Sequence, residues 1–171
     1  HLAHYANYLA DWDVREFTEG GISAGTLGAE DVLRDFLRAY RTIPAEHFAR
    51  FRDVDDPVCV RHRKDRFYAV NREFYPIRIQ ASFSGDKDAK ILDLAADKEL
   101  GLSNGVLSFE IGPFRVRSFR MPRSVELADV KTVAPAEKIA WLQDRFEQVL
   151  AAHEKLAADK IFLPRNVEEN I

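Results

Sequence analysis

The spacing of apolar residues predicts that the chain begins with helices. One helix is predicted over about 2–12 and a second over about 29–42, separated by a glycine-rich break. Pro44 is predicted to begin a third, short helix that carries Phe48 and Phe51, since proline is tolerated in a first helical turn. The apolar residues of the first helix recur at three and four positions and are Leu2, Tyr5, Leu9 and Trp12.

From Pro57 onward the apolar period changes to two, which is typical of β-strands. Residues 58–63 and 67–74 are predicted to form a hairpin around a tight turn at Lys64–Asp65. A further strand follows Pro76, and its alternation predicts one core face and one polar face. The predicted core residues of that strand are Ile77, Ile79, Ala81 and Phe83.

A second hairpin is predicted from Val106–Ile111 and Phe114–Met121, preceded by the strong turn signal Asn104–Gly105. Residues 88–102 fit either a strand or a short helix, and we favour a strand followed by a helical turn. This segment decides whether the two hairpins belong to one continuous sheet.

A long helix is predicted over 135–160. At about 1.5 Å per residue it is roughly 37 Å long, which is enough to span a sheet or to form a dimerisation arm. Packing against the sheet of the same chain is the alternative to pairing with a second helix. Its apolar stripe contains Ile139, Leu142, Phe146, Val149, Leu150, His153 and Leu156.

These elements predict a single α+β domain over 1–171. Its parts are a helical N-terminal part at 1–56, a β-rich part at 57–123 and the C-terminal helix at 135–160. The helices are expected to pack on an antiparallel sheet of about four to six strands built from the two hairpins.

Composition limits the class of protein. With 171 residues and 46% hydrophobic content, the chain can bury one core. No apolar run is long enough to cross a bilayer, so no membrane association is expected. The lone Cys59 excludes an intramolecular disulfide and favours a cytoplasmic location. The histidines lack metal-site spacing, so neither a metal nor a cofactor is predicted.

Positive charge is concentrated in two predicted β segments. Residues 57–83 hold six cations and two acids, and residues 112–123 hold four arginines and no acid, whereas the whole chain has a net charge of −3. Guanidinium groups bind phosphate and stack on bases, so the pattern favours a non-catalytic domain that binds nucleic acid or a nucleotide through one sheet face. The candidate binding residues are Arg61, Arg63, Arg66, Arg115, Arg117, Arg120, Tyr68 and Tyr75.

Three alternatives remain open from the sequence. The arginines can instead pair with acids of the covering helices. The helix 135–160 can make the protein an assembly domain, either as a homo-oligomer or with another protein partner. An enzyme would need acids such as Asp93 or Glu110 beside the arginines, or a Cys59–His62 pair, but no catalytic residue is predicted.

Overall fold

The computed structural model describes residues 2–20, 30–52 and 57–158, with the backbone alone for residues 16–20. The chain divides into two compact units, His1–Val133 and Ala134–Ile171. In the part of the chain that the structure describes, the first unit holds two helices and nine strands and the second holds one helix. Whether the chain acts as one domain stays a prediction.

The helices of the first unit are α1 (Leu2–Gly20) and α2 (Glu30–Tyr40). Its strands are β1 (Ala49–Arg50), β2 (Val58–Arg63), β3 (Arg66–Asn71), β4 (Ile77–Gly85), β5 (Lys90–Asp93), β6 (Lys98–Gly101), β7 (Val106–Ile111), β8 (Val116–Arg120) and β9 (Val125–Val133). The second unit contains α3 (Ala136–Ala158).

The strands form two antiparallel sheets. One has six strands in the order β1-β2-β3-β8-β5-β6, and the other has three in the order β7-β4-β9. The predicted α+β class with antiparallel pairing is therefore confirmed. The structure adds strands to the expected number and divides them between two sheets.

Both faces of the six-stranded sheet are covered. On one face, buried residues of β2, β3 and β8 share a core with α1 and α2. On the other face, Phe119 lies 4.8 Å from Phe109 of the three-stranded sheet, and Phe67 lies 5.9 Å from Phe83, measured between ring centroids. Helices, large sheet and small sheet thus form three layers, and the central layer has no open face over most of β2 and β3.

The first predicted hairpin is confirmed. Strands β2 and β3 pair in antiparallel register from Val58↔Asn71 to Arg63↔Arg66, and Lys64 in the turn adopts a φ of 50°. The predicted alternation of β4 is also confirmed, because its four predicted core residues are buried and Arg78 and Gln80 are exposed.

The second predicted hairpin is wrong. Strand β7 pairs with β4, whereas β8 pairs with β3 and β5, so the two segments belong to different sheets. The turn signal before β7 is real, because Asn104 and Gly105 have φ values of 53° and 77°. Residues 88–102 form the hairpin β5–β6, and β5 pairs with β8, which extends the large sheet. The strand in that segment is confirmed, whereas a second strand follows it where a helical turn was expected.

Strand β9 has no counterpart in the sequence prediction. A β-bulge lies opposite Ser82 and Phe83 of β4, where Asp129 and Leu127 are their partners and Ala128 is the extra residue. The buried positions Val125, Leu127 and Val130 therefore lose their period of two.

The third helix predicted from Pro44 is wrong, because the segment forms turns followed by β1. The backbone N–H of Phe48 donates to the Asp13 carboxylate over 2.9 Å instead of to a helical carbonyl. The predicted first helix is confirmed but continues to Gly20, across a break at Asp13 where φ is 75° and ψ is 162°.

The long C-terminal helix is confirmed up to Ala158; residues 159–160 of the prediction lie outside the described residues. None of the side chains of α3 is fully buried. In the described ranges, no helix has the length and apolar character needed to cross a bilayer.

Candidate functional site

The arginines predicted to share one sheet face are divided between two faces. The row Arg61, Tyr68, Ser118 crosses β2, β3 and β8, and Ser118 Oγ lies 3.3 Å from the carbonyl of Ala39 in α2. This row therefore faces the helices. Arg117 is the neighbour of Ser118 along β8, so it points to the opposite face, towards the small sheet.

Arg61 is buried, with 4% of its surface exposed. One terminal nitrogen donates to the carbonyls of Ala10 and Asp11 over 2.7 and 3.2 Å, and the other donates to the carbonyl of Phe48 over 3.3 Å. Ala10 and Asp11 end the first half of α1 just before its break, so Arg61 caps the carbonyl end of that half. Its Nε is buried without an acceptor among the described residues.

Three more predicted arginines bind groups of the protein itself. Arg63 pairs with Glu46 over 2.5 Å, and Arg66 donates to the carbonyl of Thr42 over 3.3 Å. Arg115 donates to the carbonyl of Val32 in α2 over 2.6 Å. Arg120 is exposed on the helix-facing side of β8. The predicted cluster is thus dispersed over several internal contacts.

Arg117 forms an ion pair with Asp93, which is buried at the end of β5. Its guanidinium also lies over the rings of Phe109 and Phe119, 5.0 and 5.2 Å from their centroids. The other oxygen of Asp93 accepts hydrogen bonds from the N–H groups of Ala95 and Ala96. Asp93 therefore has both oxygens occupied and is not placed to act as a general base.

The remaining catalytic alternatives are not assembled either. Glu110 lies opposite Arg78 in the register of β4 and β7, its side chain is exposed, and its backbone carbonyl accepts a hydrogen bond from Arg117 over 3.2 Å. Cys59 is buried and lies 3.6 Å from the carbonyl of Ala10, whereas His62 packs edge-on against Phe51 at 5.6 Å. In the segments that the structure describes, no group of three or more metal-ligating side chains is placed to hold an ion.

Tyr68 and Asp13 form a buried polar pair that the sequence analysis did not identify. The Tyr68 hydroxyl donates to Asp13 Oδ1 over 3.0 Å, and both side chains are almost fully buried. Burial, reinforced by the Asp13 carboxylate, raises the pKa of Tyr68 well above its ordinary value of 10.0, while Arg61 lowers it in part. The phenol therefore stays protonated and serves as a permanent donor.

Asp13 gathers three hydrogen-bond donors and an imidazole at the break in α1. Its oxygens accept from the N–H groups of Val14 and Phe48 and from the Tyr68 hydroxyl, and Nδ1 of the exposed His47 lies 3.0 Å from Oδ2. Asp13 follows Tyr5 and Leu9 at intervals of four residues, so it lies on the apolar stripe of the predicted helix. An acid at such a position is the sequence signal for this buried pair. The arrangement joins α1 to β3 and to the segment before β1.

Tyr75, the other predicted aromatic residue, lies in the segment that connects β3 to β4 and is buried. Its ring packs edge-on against Phe74, with 5.0 Å between the ring centroids. Burial, with a smaller effect of Glu73, raises the pKa of Tyr75. It lies apart from the Arg61 row, so Tyr68 and Tyr75 do not form a stacking platform.

Several large apolar side chains of α3 are exposed, as are Trp12, Val32 and Phe74 of the first unit. In α3, Phe146 is 55% exposed and Val149 is 48% exposed, and Ile139 and Leu150 are exposed as well. Positions 139, 142, 146, 149, 153 and 156 are separated by alternating steps of three and four residues, which is the spacing of a coiled-coil seam. Beside this seam, the Arg145 guanidinium lies 5.5 Å from the centroid of the Trp141 ring.

No protein-family model and no curated protein matches the chain. Among solved structures, it is similar to α-galactosidase I of Mortierella vinacea, with 12% identity over 74% of this chain and 36% of that chain and a TM-score of 0.43. A β-L-arabinopyranosidase of Geobacillus stearothermophilus is 18% identical over 44% of this chain and 19% of that one, with a TM-score of 0.33. An α-amylase of Malbranchea cinnamomea is 8% identical over 53% and 19%, with a TM-score of 0.36.

The chain spans 18% to 36% of the length of the solved chains that it matches. These chains are glycosidases by name. The predicted function as a nucleic-acid or nucleotide binder is wrong. Arg61, Arg66 and Arg115 bind the protein's own carbonyls, and Arg63 and Arg117 bind its own carboxylates.

Proposed function

We propose that this protein is an assembly domain in which α3 pairs with another helix. The observation that carries the proposal is the seam of α3, defined by positions 139, 142, 146, 149, 153 and 156, together with the exposure of its large apolar side chains. Burying one such side chain stabilises an interface by roughly 1.5–3 kcal/mol, so a seam of this length supplies a strong driving force for pairing.

The composition of α3 also supports pairing. Its 23 residues include four acids and three cations, so the helix is close to neutral and a second helix is not repelled by net charge. By contrast, the cations of the large sheet are largely engaged within the first unit, as described above. A cytoplasmic location belongs to the same proposal and is supported by Cys59, a buried thiol without a disulfide.

The proposal is tested by co-precipitation from cells that make the 171-residue chain in two differently tagged copies. Phe146→Glu places a charge in the seam, whereas Ala151→Glu places the same charge on the opposite side of the helix. We expect Phe146→Glu to abolish the co-precipitation of any chain that the parent protein recovers, including its own second copy. Ala151→Glu should leave this recovery unchanged. Equal recovery with both variants contradicts the proposal.

A further inference from the structure

We propose that a cleft in the first unit binds a free α-amino acid. The cleft has a volume of about 330 Å³ and lies between α2, the turn that follows β5, and the start of β8. Asp35 and Arg38 of α2, Ala96 of the turn and Val116 of β8 are among the residues that line it. The site belongs to the first unit alone, so it goes beyond the pairing of α3 and does not depend on it.

The first observation is an open position in the large sheet beside Val116. The carbonyl of Arg115 accepts from the N–H of Asn71, on the side of β3. The carbonyl of Ser118 accepts from the N–H of Leu94, on the side of β5. Because the main-chain groups of successive residues point to alternate sides of a strand, the N–H and C=O of Val116 point to the side of β5.

The turn after β5 keeps the chain out of that position. Ala96 would lie opposite Val116 if β5 continued, but its N–H donates to the side chain of Asp93 over 3.0 Å. In the described part of the chain, no other segment pairs with Val116 on this side of β8. Val116 is only 3% exposed, and a buried N–H and C=O need hydrogen-bonding partners. A ligand in the cleft supplies both.

An α-amino acid matches this pair of main-chain groups. In an antiparallel ladder, two residues that face each other exchange two hydrogen bonds, one from each N–H to the opposite C=O. A free amino acid carries equivalent groups on one α-carbon. Its carboxylate accepts from the N–H of Val116, and its ammonium group donates to the C=O. A carboxylic acid without an amine satisfies only the N–H, and an amine without a carboxylate satisfies only the C=O.

The charges around the cleft match both ends of such a ligand. Arg38 and Asp35 are exposed, and neither forms an ion pair with another of the described residues. Arg38 supplies a cation for the carboxylate and Asp35 an anion for the ammonium group. The other charged lining residues are Arg115, Arg117 and Asp93, the last two paired with each other. Three cations and two anions therefore line the cleft, which suits a zwitterion better than a phosphate.

Binding is measured with the purified 171-residue chain and a panel of the common amino acids, by saturation-transfer NMR followed by calorimetric titration. We expect at least one amino acid to bind. Its decarboxylated amine and its deaminated acid should each bind at least about tenfold more weakly, because each lacks one charged, hydrogen-bonded group. The inference is overturned if no amino acid of the panel binds, or if either analogue binds as tightly as the amino acid.

Two pairs of substitutions at exposed positions test the location. Ala96→Phe places a large ring in the cleft, whereas Lys98→Phe places the same ring two residues further along the chain, at a position that does not line the cleft. Arg38→Gln removes the cation at the rim, whereas Arg34→Gln removes a cation one helical turn earlier in α2. We expect Ala96→Phe and Arg38→Gln to weaken the affinity by at least about tenfold and the two controls to change it by less than about twofold. An unchanged affinity in either of the first two variants overturns the inference.

Discussion

The hydroxyl of Tyr68 in β3 donates a hydrogen bond over 3.0 Å to the Asp13 carboxylate, at the point where α1 departs from helical geometry. A protonated phenol and a carboxylate are matched partners, and burial excludes water from both groups. The contact ties the first helix to the centre of the large sheet.

Asp13→Asn should destabilise the first unit by about 2–4 kcal/mol. Asparagine keeps the shape of the side chain and tolerates a positive φ, but it offers one acceptor oxygen in place of two for the three hydrogen-bond donors around Asp13. The change in unfolding free energy is measured by urea denaturation at neutral pH.

Asp11→Asn is the matched control. Asp11 is partly exposed and lies 3.3 Å from Arg72 at the surface, so its loss should cost less than about 1 kcal/mol. Equal effects of the two substitutions would show that the burial of Asp13 has no energetic consequence.

Stability should fall as pH rises above about 10. The pKa of Tyr68 is raised in the folded protein, so above the ordinary tyrosine value the unfolded chain releases a proton that the folded chain retains. The stabilisation is fully present below pH 10 and declines by up to about 1.4 kcal/mol for each further unit of pH. Tyr68→Phe removes this ionisation and should flatten the dependence of unfolding free energy on pH between about 10 and 11. An unchanged slope in that variant would be inconsistent with a shifted Tyr68.

Arg61→Ala should destabilise the protein by about 3 kcal/mol or more, because it removes the guanidinium donors to the buried carbonyls of Ala10 and Phe48 and opens a cavity. Arg120→Ala, on the same side of the sheet but exposed, should change the unfolding free energy by less than about 0.5 kcal/mol. Thermal and urea denaturation of the two variants measure the difference. If both variants changed the unfolding free energy by similarly small amounts, the buried hydrogen bonds of Arg61 would not stabilise the protein.

The alternation of apolar and polar residues correctly predicted strands that have one buried face and one exposed face. In β4 one face is core and the other is solvent, so the period of two marks Ile77 and Ile79 correctly. In β2 both faces are buried, and the same period wrongly suggested that Arg61 points to solvent. In a strand that is covered on both faces, polar and apolar residues can alternate although both are buried.

Strand partners could not be predicted from local signals. The turn at Asn104–Gly105 was recognised because it depends on two residues, whereas the transfer of the chain from β7 to β8, between two sheets, depends on contacts across the whole unit. The bulge at Ala128 hid β9 by shifting its buried positions. Phe48 and Tyr68, which donate to Asp13, come from distant segments, so their contacts could not be predicted. The sequence showed only that an acid lies on an apolar stripe.

The break in α1 implies an order of events during folding. Residues before Asp13 can turn into a helix through neighbouring contacts, but Phe48 and Tyr68 lie 35 and 55 positions further along the chain. Contacts of such separation form slowly because long loops must close first. We therefore expect the hairpin of β2 and β3 to assemble before the Asp13 carboxylate loses its water, and the N-terminal helix to dock late in folding.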